Sequence, residues 1–183
     1  MYELALFILD LAQNSLSAGA SVVKIWVLED GTRNRMTVTV ADNGCGMTSE
    51  VLKRALDPFM TSKAARRKSI GLGLPFFRQL AEDCQGRCEV RSRPGIGTVV
   101  TGTWPLDNLD QPQLGALGDT FLTLVAANPC ADFRFVRRHA DVVRVFDTRA
   151  VRAVLGVDAE RLWQTPEMTA WFRTELTPFS APR

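Results

Sequence analysis

The order of elements predicts an α/β two-layer sandwich, with helices packed on one face of a mixed sheet, followed by an α+β C-terminal extension. Two observations carry this reading. An amphipathic helix opens the chain and is followed by a period-two hairpin, and the pattern helix, loop, helix, hairpin then repeats the theme before Pro105. The strand–helix alternation of a dinucleotide-binding fold is absent, and "GLGLP" follows a loop instead of a strand, so that alternative fails its context test.

The first helix is expected from Tyr2 to Ser17, with Gly19 as its stop and Leu4, Ile8, Leu11 and Ala12 as its core stripe. Phe7, Asp10, Asn14 and Ser17 follow spacings of three, four and three, which puts them on a second face able to line a cavity. "SVVKIWVLE" and "RMTVTVAD" alternate as strands around the turn residues "DGTRN". "TSEVLKRALDPF" opens with Thr48 or Ser49 as N-cap and is stopped before Pro58. "MTSKAARRKSIGLGL" lacks apolar periodicity until its glycines and reads as a mobile loop entering a helix over 73–84 that ends near Gly86. "RCEVRSRPGIGTVVTGTW" is a second hairpin turning at "RPGIG".

Beyond Pro105, residues 106–117 read as a connector into the apolar helix "DTFLTLVAA". A further hairpin, "DFRFVRRHADVVRVFDT", and two or three short helices complete the chain; in the last, Thr165, Pro166 and Glu167 suit N-cap, N1 and N2. The expected division is therefore 1–105 and 106–183. Three dispositions of the second part stay open: strands added to the sheet edge, a unit docked on the open face, or a dimer contact through Trp163, Trp171 and Phe172.

Composition narrows the function classes. A chain of 183 residues, 46% hydrophobic and 23% charged, can bury a core unaided. A net charge of +2 is too small to draw a nucleic acid or a membrane through long-range electrostatics. Cysteines at 45, 84, 88 and 130 suit a reduced, cytoplasmic setting. "CQGRC" has no second ligand pair at zinc-site spacing, and the sole histidine, His139, is isolated. "MYELALFILDLA" contains Glu3 and Asp10 and lacks a basic leader, and no apolar run approaches the ~20 residues of a membrane span.

Four motifs carry the chemistry: "DLAQNSLSAGA", "DNGCGM", "DPFMTSK" with "GLGL", and "GIGT". Singly, each has a plainer reading: an Asp–Asn pair is a solvated helix face, "DNG" a hairpin turn, "GLGL" a close helix–sheet contact. In this order, over residues 1 to about 104, they resemble the N box, first glycine box, F box and second glycine box of the GHKL ATPases. That superfamily joins gyrase-type topoisomerases, Hsp-type chaperones, sensor histidine kinases and mismatch-repair ATPases, and its ATP-binding domain has the Bergerat-type fold.

The resemblance implies ATP and Mg²⁺ as cofactors and assigns roles by position. Asp42 is similar to the carboxylate that accepts from the adenine amine, Thr98 to the threonine that holds a water beside it, and Gly44, Gly46 and Met47 to the loop along the base. The side chains that would fill the pocket are absent at Gly44 and Gly46. Asn14 resembles the amide that completes the Mg²⁺ shell, a hard ion served by oxygen. Gly71, Leu72 and Gly73 would offer helix-start amides to the phosphates, and Thr61, Ser62 and Lys63 would contact the outer phosphates. Asp10 stands where hydrolysing members carry glutamate as general base, one methylene shorter. Ser69 stands where the second glycine box often has a leading glycine.

"NSLSAGA" and "DNGCGM" look most like the mismatch-repair branch, while the short lid and "GIGT" hairpin look like histidine kinases and anti-sigma-factor kinases. The N box lies within the first helix, so a complete histidine kinase is not expected. The expected function is a MgATP-binding regulatory protein that hydrolyses ATP slowly or transfers phosphoryl to a protein partner. The alternative is a non-catalytic switch in which nucleotide-driven lid closure controls binding of a protein partner or a second copy.

Overall fold

The computed structural model describes residues 3–57, 73–155 and 166–177, the side chains of Leu155, Met168 and Phe172 excepted. Helix α1 spans Leu4–Ser17, and its stripe of Leu4, Ile8, Leu11 and Ala12 is buried, as the periodicity requires. Its N-cap, Glu3, makes no side-chain cap; the connector supplies that function, the carbonyls of Gln113 and Leu114 accepting the Leu4 and Ala5 amides at 2.8 and 3.1 Å. Gly19, at φ 76°, ends the helix.

Strands β1 (Val22–Asp30) and β2 (Arg35–Asp42) form the first hairpin, helix α2 (Ser49–Ala55) follows with Thr48 capping the Val51 amide, and helix α3 covers Gly73–Asp83. Strands β3 (Arg87–Arg93) and β4 (Gly97–Trp104) make the second hairpin. The left-handed residue after α3 is Gln85, at φ 58°, and not Gly86. Gly86 is needed for space: a Cβ there would lie 2.1 Å from the Thr103 carbonyl oxygen.

The sheet is six-stranded and mixed, in the order β3–β4–β2–β1–β5–β6, where β5 is Asp132–His139 and β6 Val142–Asp147. On the helix-facing side the rows across β2, β4 and β3 are Val38–Gly102–Cys88 and Val40–Val100–Val90. The last row is Asp42–Thr98–Ser92. Apolar rows thus give way to polar side chains at one end of the layer, which is where a site can open without hollowing the core.

The sheet does not break at the 105–106 division. β5 lies parallel to β1 from Val22↔Asp132 to Glu29↔His139, so the C-terminal hairpin adds strands to the edge of the same sheet. Helix α4 (Leu117–Ala127), two residues longer at its start than "DTFLTLVAA", covers this extension, with Phe121 stacked on Phe135 at 4.0 Å between ring centroids. Helices α5 (Thr148–Leu155) and α6 (Pro166–Leu176) follow. α6 begins at Pro166 and packs on α4, burying Leu176 and leaving Trp171 exposed; Thr165 and Trp163 lie outside the described residues.

An ion pair fastens the extension. Glu29 of β1 and Arg137 of β5 are both buried, with Arg137 Nη2 donating to Glu29 Oε1 at 3.1 Å and His139 Nδ1 3.1 Å from Oε2. Removing one member of a buried pair strands its partner's charge. Arg137→Leu is therefore expected to lower the unfolding free energy by roughly 3 kcal/mol, read by urea denaturation, in one transition monitored from both halves of the sheet. Separate transitions for the two halves would show that the hairpin is an independent unit.

Candidate nucleotide site

The site is built at the polar end of the sheet, between α1, the loop after β2 and the β3–β4 turn. Asp42 ends β2, and its carboxylate is held from three directions. The Ser15 hydroxyl donates to Oδ2 at 2.7 Å, and the amides of Gly44 and Thr98 donate to Oδ1 at 2.9 and 3.2 Å. Ser15 was missed by sequence reasoning. It continues the buried stripe Leu4–Ile8–Leu11, so a hydroxyl on the apolar face of α1 was the available signal.

The loop "DNGCGM" is pinned at every turn. Asn43 Oδ1 accepts the Ser21 and Val22 amides at 3.0 and 2.8 Å, the Cys45 amide donates to the Ala18 carbonyl at 2.9 Å, and the Gly95 amide donates to the Cys45 carbonyl at 2.7 Å. The glycines serve this packing. A Cβ at Gly44 would come within 2.9 Å of the Ala18 carbonyl oxygen, and one at Gly46, where φ is 64°, within 1.9 Å of the Arg93 carbonyl oxygen. The atoms such a side chain would meet belong to the protein, so this packing by itself requires glycine at both positions.

Thr98 faces Asp42 across β2–β4 and Ser92 across β3–β4. Ser92 Oγ accepts the Met47 amide at 2.8 Å and lies 2.9 Å from Thr98 Oγ1. Met47 is thereby placed by its backbone, its side chain half-buried against the core. Ser92 also escaped sequence reasoning, although it closes the alternating face Cys88–Val90–Ser92.

The second face of α1 meets the start of α3. A Cβ at Gly73 would lie 2.8 Å from Asp10 Cβ and 3.5 Å from Asn14 Nδ2, so only glycine lets α3 begin over that pair. Phe7, one turn earlier, packs on Phe77 with ring centroids 6.5 Å apart. Asp10 remains exposed overall, while partial burial of its carboxyl raises its pKa above the ordinary 3.8. Gly71 and Leu72, and likewise Thr61, Ser62 and Lys63, lie outside the described residues. The described candidates therefore form two clusters, Asp42–Gly44–Thr98 with Gly46 and Met47 beside them, and Asp10–Asn14–Gly73. They are joined by α1, on which Asp10 and Ser15 are about 7.5 Å apart along the axis.

Residues 3–108 match the family described as histidine kinase-, DNA gyrase B- and HSP90-like ATPases. The chain belongs to that family. Its ATPase-like part is 31% identical over 106 residues to the signal transduction histidine-protein kinase AtoS of Escherichia coli, covering 57% of this chain and 16% of AtoS. It is 36% identical over 74 residues to sporulation kinase E of Bacillus subtilis, covering 40% of this chain and 10% of that kinase. The matched segment is thus a small fraction of these relatives' length. The fold resembles the Aquifex aeolicus MutL ATPase domain complexed with ADP, with a TM-score of 0.51 at 14% identity, over 86% of this chain and 70% of that one. Among the described residues no helix is long and apolar enough to cross a membrane, and no three His, Cys, Asp or Glu side chains gather as a metal cage.

The raised Asp10 pKa has a consequence for stability. Ionisation of the carboxyl costs the folded state, fully above the raised pKa and not at all below the unfolded value. Asp10→Asn should therefore raise the melting temperature at neutral pH, and the gain should vanish as pH falls through the raised pKa to below 3.8. A gain that stays constant from about pH 7 to 3 would assign it to a cause other than the carboxylate.

Proposed function

We propose that the chain is a MgATP-binding regulatory domain that hydrolyses ATP slowly or passes its terminal phosphoryl group to a protein partner. The observation that carries this reading is the Asp42 carboxylate. Two ionised oxygens offer roughly four acceptor positions, and the protein fills three of them. What remains, on Oδ2, suits one further donor, such as the exocyclic amine of adenine.

At the other cluster, α3 runs from Gly73 and would turn the amides and positive dipole of its N-terminal end toward phosphate oxygens. Asn14 supplies an amide oxygen for Mg²⁺. One protein ligand with phosphate and water oxygens is a normal shell for this ion, so the residues fit it without an acidic cage. The bound ion would neutralise charge on the phosphates. Asp10 lies one turn before Asn14, and its raised pKa makes it a better proton acceptor than an ordinary carboxylate. The kinase relatives favour phosphoryl transfer to a protein over unregulated hydrolysis.

Asp42→Ala is expected to weaken ATP binding at least tenfold, the scale of a lost charged hydrogen bond, roughly 1.5–3 kcal/mol. Ser15→Ala should weaken it less, because the carboxylate stays but loses one of its anchors. Unchanged affinity in both variants, by calorimetric titration, would move the base elsewhere.

Turnover separates enzyme from switch. If Asp10 is the general base, Asp10→Asn should bind ATP normally yet lose about 10²- to 10⁴-fold in rate, and Asp10→Glu should be faster than the parent. Parent turnover that survives Asp10→Asn undiminished removes that role. Parent turnover at background, with ATP still changing affinity for a protein partner, would establish the non-catalytic switch.

A further inference from the structure

We infer that the sheet face opposite the buried rows is a docking surface for an acidic amphipathic helix of a protein partner. The inference stands apart from the nucleotide reading. The C-terminal hairpin joins the sheet edge, so its strands widen this face. At that end the face is open to water, Val143 being 56% and Val145 53% exposed.

The register sets three rows across the strands on this side. The middle row runs Glu89–Thr101–Thr39–Trp26–Val136–Val145. Its threonine hydroxyls lie 3.2 Å apart and answer one another, while Trp26 and Val136 are half-buried by their neighbours. Leu28 and Val143 in the adjoining row extend an apolar patch over β1, β5 and β6. Scattered apolar side chains need no explanation, but a contiguous patch with a charged margin marks a contact surface.

The margin is basic. One flanking row is Arg87–Thr103–Thr37–Leu28–Arg138–Val143, which contains no acid. The other is Arg91–Val99–Ala41–Lys24–Arg134–Asp147, where Asp147 is the one acid and pairs with Arg134 at 3.3 Å. The acids beside these rows are also engaged: Glu89 with Arg91 and Asp30 with Arg138, both at 3.2 Å. Lys24 is exposed between Ala41 and Arg134. Successive rows are about 7 Å apart, so the flanking rows stand about 14 Å from each other. A helix about 10–12 Å across fits between them, its apolar stripe on the middle row and carboxylates on both sides of the stripe.

The same pattern disfavours the other occupants. A nucleic-acid backbone, with one charge every ~1.7 Å, would meet Glu89, Asp30 and Asp147 as well as the arginines, and its phosphates would leave the apolar patch unmatched. A second copy docked face to face would set these basic rows against themselves.

Three synthetic peptides of about 14 residues, four helical turns, test the inference on the full chain without nucleotide. One carries a leucine stripe flanked by glutamates, the second has glutamine at those glutamate positions, and the third is the first in shuffled order. Binding is read by fluorescence anisotropy, and the surface by amide NMR shifts. The glutamate peptide should bind about tenfold tighter than the glutamine peptide at low salt, the product of several exposed pairs, and the difference should shrink in 1 M salt. Its shifts should centre on β1, β5 and β6. Lys24→Glu and Val145→Glu should each weaken it about three- to tenfold, with parent-like thermal melts and ATP affinity, whereas Lys53→Glu on α2 should change it less than twofold. If Val145→Glu does not fold, Val145→Ser carries the same comparison. Absent binding, equal binding of the three peptides, shifts centred elsewhere, or a loss in Lys53→Glu equal to that in Lys24→Glu overturns the inference. So does tighter binding of an oligothymidylate that shifts the same amides, or a dimer in sedimentation that Val145→Glu dissociates. The first would give the face to nucleic acid and the second to another copy of the chain.

Discussion

A carboxylate at the end of an otherwise apolar sheet face is the constraint on which the rest of the molecule depends. Burying part of a charge is costly unless hydrogen bonds replace its water. Asp42 meets that requirement with three donors from three elements: the Ser15 hydroxyl on α1, the Gly44 amide in the following loop and the Thr98 amide on β4. Each donor must arrive at a fixed place. The loop is therefore tied to Ala18, Ser21, Val22 and Gly95, and the glycines stand where main chains approach one another too closely for a Cβ.

Helix α1 links this end to the second cluster. One stripe of the helix fills the core, Ser15 reaches the carboxylate, and the adjoining face carries Asp10 and Asn14 beneath Gly73. A displacement of α1 would disturb both ends of the site together. The connector that caps its first turn and the hairpin that extends the sheet beyond β1 both resist such displacement. The C-terminal part therefore buttresses the candidate site through β1, whose first residue, Val22, together with Ser21 before it, donates to Asn43.

Local signals made much of this legible. The α1 stripe, a cap at Thr48 or Ser49, both N-terminal hairpins and the shared face of Asp10 and Asn14 follow from periodicity, capping and helical spacing, whereas the placing of Gly73 at the same end is implied only by the family resemblance. What escaped depends on contacts distant in sequence. Nothing near Asp132 announces that its strand will run parallel to one beginning at Val22, because such pairing is chosen by the apolar faces of Phe133 and Phe135 meeting a core assembled a hundred residues earlier. Gly86 looked like a helix stop, whereas its role is set by Thr103 across the chain. Ser15 and Ser92 interrupt apolar stripes without a further local signal; packing of α1 on the sheet brings the first to Asp42, and sheet register brings the second to Thr98.

The central claim is that one end of the site reads a base through Asp42 while the start of α3 receives phosphates. A crystal structure of the chain with Mg²⁺ and a non-hydrolysable ATP analogue tests it most directly. The account predicts the adenine amine within about 3 Å of Asp42 Oδ2 and the phosphates beside the first amides of α3, with the metal on Asn14. A nucleotide bound in the reverse sense, with phosphates at Asp42, or bound away from α1, would contradict it.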